Sequence, residues 1–539
     1  MVAEVSPRTT RVHDLVGAAG ERIRRTSRAE IVLAGLVAAF VAWFGRLAYF
    51  HQRYFGNFAF DLGIYDQGIW LLSQGERPFV TVRGLHLFGH HTNFILYLWA
   101  PFYRFFGAGA EFLVVSKVVI VGLAAIPVYL LARDRLRSVE DDRAGLLAVG
   151  LAAVFLLNPS VQNQMWWTFH PDSISILPVL CTWLFATRRR WKLAALWAVL
   201  ALLCKEDVAL TLLAMGLVLA WRERKWRLVV PGALAGLWFV LMTRVVMTSA
   251  NAGLDPFYVN EFRHLGTNLR EIVVNSVRHP SRWAGRLFTA RAGDGRYWFQ
   301  ITAPFGVFLP LLAVPELLLV VPQLFINTVT LWHYAADARY HYSALPVAAL
   351  MICTVEVVGR LTTRTSRHAV VAALLGAVLI TNFWWAPSPL GQLDRYLPGA
   401  QSLNRGDPET GVWRRRPHVH QAEIEEAIAL IPSAASVSAS FYIVPKVTHR
   451  REIYEFPTPF MRAYYRVPGE APPDPTTLEY VLVDSKAFYN QATHENIFLS
   501  LLQPGSGFQM LYFKEDIVLL RRTDEPLSGL VRSFARIGL

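Results

Sequence analysis

Apolar residues run in long blocks separated by short basic stretches, a rhythm that predicts a chain crossing a bilayer many times. About eleven spans are expected, at 29–50, 111–131, 144–157, 171–187, 193–204, 208–221, 228–247, 299–312, 315–329, 342–358 and 369–386. Several are short, since about fourteen residues of helix rise only some 21 Å. A short span serves where a neighbouring cavity or thinned lipid admits water. The aromatic stretch 92–106 is broken by Pro101 and reads as a re-entrant or interfacial piece. Beyond Pro387 the texture changes. A Pro- and Gly-rich linker leads to a helical pattern at 422–431, strand-like runs at 436–440, 452–456, 480–484, 510–513 and 517–520, and a helix near 495–502. Such alternation suggests a small α/β domain. The expected fold is therefore mostly α, a polytopic transmembrane domain over 29–386 with a leader at 1–28 and a soluble α/β domain at 387–539.

Composition agrees. Of 539 residues 53% are hydrophobic and 17% charged, against roughly a quarter charged in soluble proteins. The net charge of +13 is spread over short clusters between apolar runs: Arg22, Arg24, Arg25 and Arg28; Arg133, Arg135 and Arg137; Arg188, Arg189, Arg190 and Lys192; Arg222, Arg224, Lys225 and Arg227; Arg360, Arg364 and Arg367. This is the signature of cytoplasmic loops rather than of a nucleic-acid-binding domain, and no nucleic-acid partner is expected. Alternation then places the N-terminus in the cytoplasm of a cell with this protein in its plasma or inner membrane. The outer side receives 52–110, 158–170, 205–207, 249–298, 330–341 and everything after Pro387. The first apolar run lacks a small-residue cleavage site and reads as a retained helix. Cys181, Cys204 and Cys353 all sit in apolar runs, where they act as small buried hydrophobes. No internal repeat is evident, which counts against an inverted-repeat transporter.

Polar motifs collect on the outer side. In the first outer loop, Leu62, Tyr65, Ile69 and Leu72 form a helical stripe that predicts an amphipathic interfacial helix, with Asp61 at its N-cap and Asp66 off the stripe. The two carboxylates stand about 140° apart around a helix, so they converge only if Asp61 lies on the preceding turn. His90 and His91 are adjacent and would share a metal only through loop geometry. His170, Pro171 and Asp172 suit the first turn of a helix, where proline is tolerated and an acid meets the positive dipole end. Lys205, Glu206 and Asp207 interrupt an apolar stretch. They fit either a tight hairpin with charges complementing helix dipoles or a functional cavity. Asp337, Arg339, His341 and Tyr342 precede a later span, and Arg339 either snorkels to headgroups or clamps a phosphate.

Together these segments resemble a known family. Phe60-Asp61-Leu62-Gly63-Ile64-Tyr65-Asp66-Gln67, His90-His91 before Asn93-Phe94-Ile95-Leu96-Tyr97, Phe169-His170-Pro171-Asp172, Lys205-Glu206-Asp207-Val208-Ala209-Leu210 and His341-Tyr342-Ser343-Ala344 look like the membrane family known as domain of unknown function 2079. The tail segments Ala435-Ser436-Val437-Ser438-Ala439-Ser440, His449-Arg450 and Ile453-Tyr454-Glu455-Phe456-Pro457 look like its C-terminal part. At Gly89-His90-His91-Thr92-Asn93-Phe94 the chain departs from the family's acid-His-Phe order. That family is similar in layout to the GT-C glycosyltransferases, which carry an essential acid on a long first outer loop. The resemblance implies a GT-C-like membrane domain and a polyprenyl-phosphate-linked sugar donor, with a glycan, lipid or protein acceptor. Asp61, with Asp66 as second choice, is then the expected catalytic base. His90, His91, His170, Asp172, Lys205, Glu206, Asp207, Arg339, His341 and Tyr342 are the expected substrate contacts, and a divalent cation on Asp61, Asp66 or His91 is compatible with them. A transporter or lipid-linked-sugar flippase, and a non-catalytic envelope scaffold, are the alternatives. A transport pathway requires polar residues at mid-membrane depth and on both sides, whereas these gather toward one face.

Overall fold

The computed structural model describes residues 27–136, 142–292, 295–387, 417–461, 473–488 and 491–537. The expected leader up to residue 26 and the linker at 388–416 lie outside the described residues. Among the described residues five helices are long and apolar enough to cross a membrane: Arg28–Arg53, Ala110–Leu136, Trp226–Ala250, His341–Arg360 and Arg364–Trp385. Gly145–Leu156 and Pro159–Trp166 make a sixth crossing if taken together, bent by 51° where Asn158 caps the second piece through Ser160 N. Pro171–Thr187 and Trp191–Leu202 are shorter apolar helices. His341–Arg360 is the central element, 89% buried, whereas Arg28–Arg53 and Arg364–Trp385 turn most of their apolar surface outward. The first span opens on a capping box, in which Ser27 and Glu30 each bond the other's backbone N–H.

Two expected spans are broken. Residues 297–329 form the short pieces Tyr297–Thr302, Ala303–Phe305, Leu309–Leu312, Glu316–Leu319 and Val321–Val329. Pro304, Pro310, Pro315 and Pro322 each remove a backbone donor, and Gly306 takes φ +73°. A continuous helix cannot survive that spacing. The first-loop helix forms at Ile64–Gln74, but Leu62, Tyr65 and Ile69 are wholly buried in protein rather than laid on lipid.

The tail builds a five-stranded sheet in the order Ile453–Glu455, Val437–Ala439, Tyr480–Asp484, Ile517–Arg522, Phe508–Lys514. The first three strands are parallel and the rest antiparallel. All five coincide with the expected runs. Alternate residues serve two cores, as the two-residue period of a strand requires. Val437, Ala439, Leu482 and Leu519 join the core shared with Leu62 and Ile64 of the first loop. Val481, Val483, Val518 and Leu520 pack with Phe460, Ile497 and Val531 on the far face. The first loop is thus held against the tail, sewn by Ala59 N to Phe441 O at 2.7 Å, Gln67 Nε2 to Arg451 O at 3.1 Å and Thr81 Oγ1 to Ile453 O at 2.8 Å.

Candidate functional site

Four stretches distant in sequence meet at the end of the bundle that faces the tail. The first loop supplies Asp61, which sits in a kink with φ +64° and ψ −86° before the helix Ile64–Gln74. A non-glycine residue held there costs about 1–3 kcal/mol and persists only where its surroundings fix it. Here Leu62, Ile64 and Ala59 are fully buried around it. Asp61 is therefore not the helix cap that its position suggests. Gly63 holds that place without a side-chain bond, and the carboxylate turns inward instead. Its Oδ2 lies 3.1 Å from His170 Nε2, an ion-pair distance without the alignment of a hydrogen bond.

His170 is extended and Pro171 starts the next helix, so Asp172 projects from a first turn. The His170 ring stacks on His341, their centroids 3.4 Å apart. Lys205 Nζ reaches Asp172 Oδ1 at 2.7 Å and Asp207 Oδ2 at 3.3 Å, and stands 5.8 Å from the centre of the Tyr342 ring. Lys205, Glu206 and Asp207 occupy the turn between Trp191–Leu202 and Val208–Glu223 but point inward, each at least nine-tenths buried. Asp207 makes no capping bond, so charges facing a cavity describe this turn better than a solvated hairpin.

Glu206 ties in the histidine pair. His91 Nδ1 lies 2.7 Å from its Oε1, and Thr92 donates to its Oε2 from both backbone and hydroxyl. The loop is brought there by Ile95 N to Leu203 O at 2.8 Å and Asn93 Nδ2 to Cys204 O at 2.5 Å. Phe257 and Tyr258 cover the pair, with ring centroids 5.2 Å from His90 and 6.1 Å from His91 respectively.

Burial opposes the charge on Lys205, but Asp172, Asp207 and Glu206 more than compensate and keep it protonated. Burial would also raise Glu206, yet the His91 and Lys205 charges and its hydrogen bonds pull it down to about 2. Asp207 goes the other way, pushed up to about 6 by burial and by Asp172 and Glu206 against the pull of Lys205. Burial, with His91 and Arg83 beside it, holds His90 well below its ordinary value, so it is neutral. Tyr65, raised by burial and the Asp172 and Asp61 charges, keeps its proton.

Of the residues expected from sequence, Asp61, His170, Asp172, Lys205, Asp207, His341 and Tyr342 form one cluster, with Glu206, His91 and His90 adjoining it. Asp66 is engaged with the tail, and Arg339 pairs with its near neighbour Asp337. Asp66 accepts from Tyr103 OH at 2.5 Å and from Thr448 Oγ1, with His449 Nε2 at 3.3 Å, so it ties the first loop to the tail. Arg339 folds onto Asp337, Nη2 to Oδ2 at 2.6 Å.

His170, Asp172 and His341 offer ligand atoms within 4.8 Å of one another. Within this group Lys205 holds Asp172 at 2.7 Å, and the two imidazoles lie stacked.

Sequence reasoning missed Lys117. Its ammonium is fully buried and donates to the carbonyls of Gln164, Trp167 and Thr168 at 2.5, 2.5 and 2.8 Å, fixing the turn that leads to His170. The signal was a lone lysine inside an apolar run.

The family model for predicted membrane proteins of the DUF2079 type matches residues 55–519. The chain belongs to the DUF2079 family. As a DUF2079 member with several apolar helices it is a multi-pass membrane protein. No match is found among curated proteins. Among solved structures, this DUF2079 chain is similar to ArnT from Cupriavidus metallidurans bound to undecaprenyl phosphate, at 13% identity and a TM-score of 0.44 over 91% of this chain and 98% of that one. The apo state of the same protein gives 13% identity and a TM-score of 0.48 over 90% and 98%.

Proposed function

We propose that the protein is a membrane glycosyltransferase that moves a sugar from a polyprenyl phosphate to an acceptor hydroxyl of a glycan, lipid or protein at the extracytoplasmic face. The observation that carries the reading is Asp61, turned by a strained backbone into a buried cluster of imidazoles with one lysine. In this reading Asp61 takes the proton of the acceptor hydroxyl as its oxygen attacks the anomeric carbon, inverting it. The bond from that carbon to the phosphate oxygen breaks, and Lys205 stabilises the charge gathering on the leaving lipid phosphate. His170 orients Asp61, His341 backs His170, and the Glu206–His91 pair shapes the neighbouring wall. Asp66 serves in joining the tail rather than in chemistry.

A transporter is supported less well. Its candidate polar groups gather at one end of the bundle, and the opposite end is shut by ion pairs among Glu316, Glu356 and three arginines.

The test is transfer by purified protein from a polyprenyl-phosphate sugar, with release of the lipid phosphate followed alongside. Asp61→Asn is expected to lose about 10²–10⁴-fold in rate with thermal unfolding unchanged. A wild-type rate in that variant would overturn the base assignment, and translocation of the donor across vesicles without covalent transfer would overturn the enzyme.

A further inference from the structure

Residues 263–296 hold seven arginines, no lysine and only two acids, Glu271 and Asp294. The segment begins just after the span Trp226–Ala250 ends and rejoins the bundle at Tyr297. It therefore sits beside the membrane boundary at the same end as the site, to which it is joined by Arg286 Nη2 to Thr330 O at 2.9 Å and, just ahead of the segment, by Leu331 N to Glu261 O at 2.8 Å.

The helix Leu269–Arg278 has an apolar face that the protein only half covers. Ile272 is buried against Val259, Leu265 and Val329. Val273 and Val277, one helical turn apart, stand 62% and 79% exposed, and Phe288 follows at 62%. Three exposed arginines, Arg270, Arg278 and Arg282, lie close to these residues along the chain. Among the described residues the guanidinium groups of Arg270, Arg278 and Arg282 have no ion pair or hydrogen bond. Glu271, the acid nearest to them in sequence, is already taken by the backbone and hydroxyl of Thr267, both at 2.8 Å.

We propose that this segment lies in the plane of the membrane surface and recruits anionic phospholipids. Val273, Val277 and Phe288 enter the acyl boundary, while Arg270, Arg278 and Arg282 bind lipid phosphates. An amphipathic helix with a cationic edge beside a membrane span has this chemistry, and the guanidinium fork pairs with two phosphate oxygens at once. Charge complementarity selects the occupant. A neutral partner surface would leave three desolvated guanidinium groups unpaired, whereas anionic headgroups satisfy them. An interfacial position also accounts for bulky apolar side chains standing exposed among arginines.

The full-length protein in nanodiscs tests the proposal. Val277→Cys carries a nitroxide label, which is selective because Cys181, Cys204 and Cys353 are all buried. In discs of phosphatidylcholine with phosphatidylglycerol, the label is expected to relax with dissolved oxygen and not with a water-soluble nickel chelate. Phosphatidylglycerol is expected to be retained over phosphatidylcholine on extraction into detergent. That preference falls roughly fivefold for each of Arg270→Gln, Arg278→Gln and Arg282→Gln, and falls for wild type as salt is raised. A label open to the nickel chelate would overturn the proposal, as would label–label broadening that grows with the number of copies per disc, which would mean a second copy covers the face. Equal phosphatidylglycerol retention in the triple variant would remove the arginines as its cause. All four positions are exposed, so an unchanged melting curve is expected throughout.

Discussion

At the end of the bundle away from the tail, Glu356 receives Arg135 through both its oxygens at 2.7 and 2.9 Å, Trp183 Nε1 at 3.0 Å and Arg222 at 3.1 Å. Glu316, wholly buried, receives Arg222 at 2.7 Å and Arg360 at 2.5 Å. At the tail-facing end, four carboxylates (Asp61, Asp172, Glu206 and Asp207) share one lysine and a set of imidazoles. There, among the described residues, His90 Nδ1, His341 Nδ1 and Asp207 Oδ1 are buried with no hydrogen-bond partner. Each such atom costs about 1–3 kcal/mol until a partner reaches it. The first end is a closed staple between helices. The second has donors and acceptors to spare, which is the condition of a site awaiting a ligand.

Breaking the staple should give the largest effect on stability. Glu356→Ala strands Arg135 and the indole of Trp183 and removes one partner of Arg222, so a loss of about 3–5 kcal/mol is expected. Thermal unfolding of the purified protein reads it, and the transfer rate per folded molecule should be unchanged. A lost rate with an unchanged melting temperature would show that the two ends are not separate in function.

The converse change is Lys205→Met, which removes the cation paired with Asp172 and Asp207 at the tail-facing end. Its transfer rate should fall about 10²–10³-fold, the range for losing one preorganised donor to developing charge. The fall should appear in kcat rather than in KM. An equal fall in the rate of binding-limited steps alone would assign Lys205 to donor capture instead.

A smaller effect tests whether the tail-facing end stores strain. Asp207 titrates at about 6 in the folded protein, against an ordinary carboxyl near 3.9 when unfolded. A raised carboxyl means that the folded state holds the proton more tightly, so stability is lost as pH climbs from about 4 through 6 and stays lost above. Asp207→Asn should therefore raise the unfolding free energy at pH 8, by on the order of 3 kcal/mol, and leave it nearly unchanged at pH 4. Destabilisation at pH 8 would mean that the Lys205–Asp207 contact outweighs burial.

Much of this contrast is visible in the sequence, though unevenly. The motifs at 170–172, 205–207 and 341–342 stand out because charge and imidazole flanked by long apolar runs are costly, and they do converge. The five tail strands follow from alternation. What escapes is whatever depends on backbone dihedrals or on distant partners. Asp61 precedes a helix and looks like a cap, and nothing in its neighbours announces φ +64°. The basic clusters stand at or near helix ends, but some of the same arginines also seek Glu316 and Glu356, acids hidden in apolar segments far along the chain. The spans at 299–312 and 315–329 satisfy a hydropathy window while four prolines forbid the helix.

Asp66 marks the boundary between the two kinds of chemistry, since it stands five residues from Asp61 yet behaves like the staple. Its carboxylate binds Tyr103, Thr448 and His449, joining the first loop to the tail. Burial would lower His449, but Asp66, aided by Glu111 and opposed by Arg450, raises it. An imidazole raised on folding contributes its stabilisation in full below the ordinary value near 6.5 and loses it as pH rises through the raised one. The loop–tail seam should therefore be tightest at pH 6 and looser at pH 8. With 39% of the His449 side chain in water, screening limits the difference to about 0.5 kcal/mol. Hydrogen exchange of the amides at 441–453, corrected for the intrinsic pH dependence, should be roughly twofold faster at pH 8, and His449→Gln should flatten the profile. If the profile survives that change, the seam is governed by its backbone bonds to Gln67 and Thr81, and Asp66 belongs with the staple in geometry but not in energy.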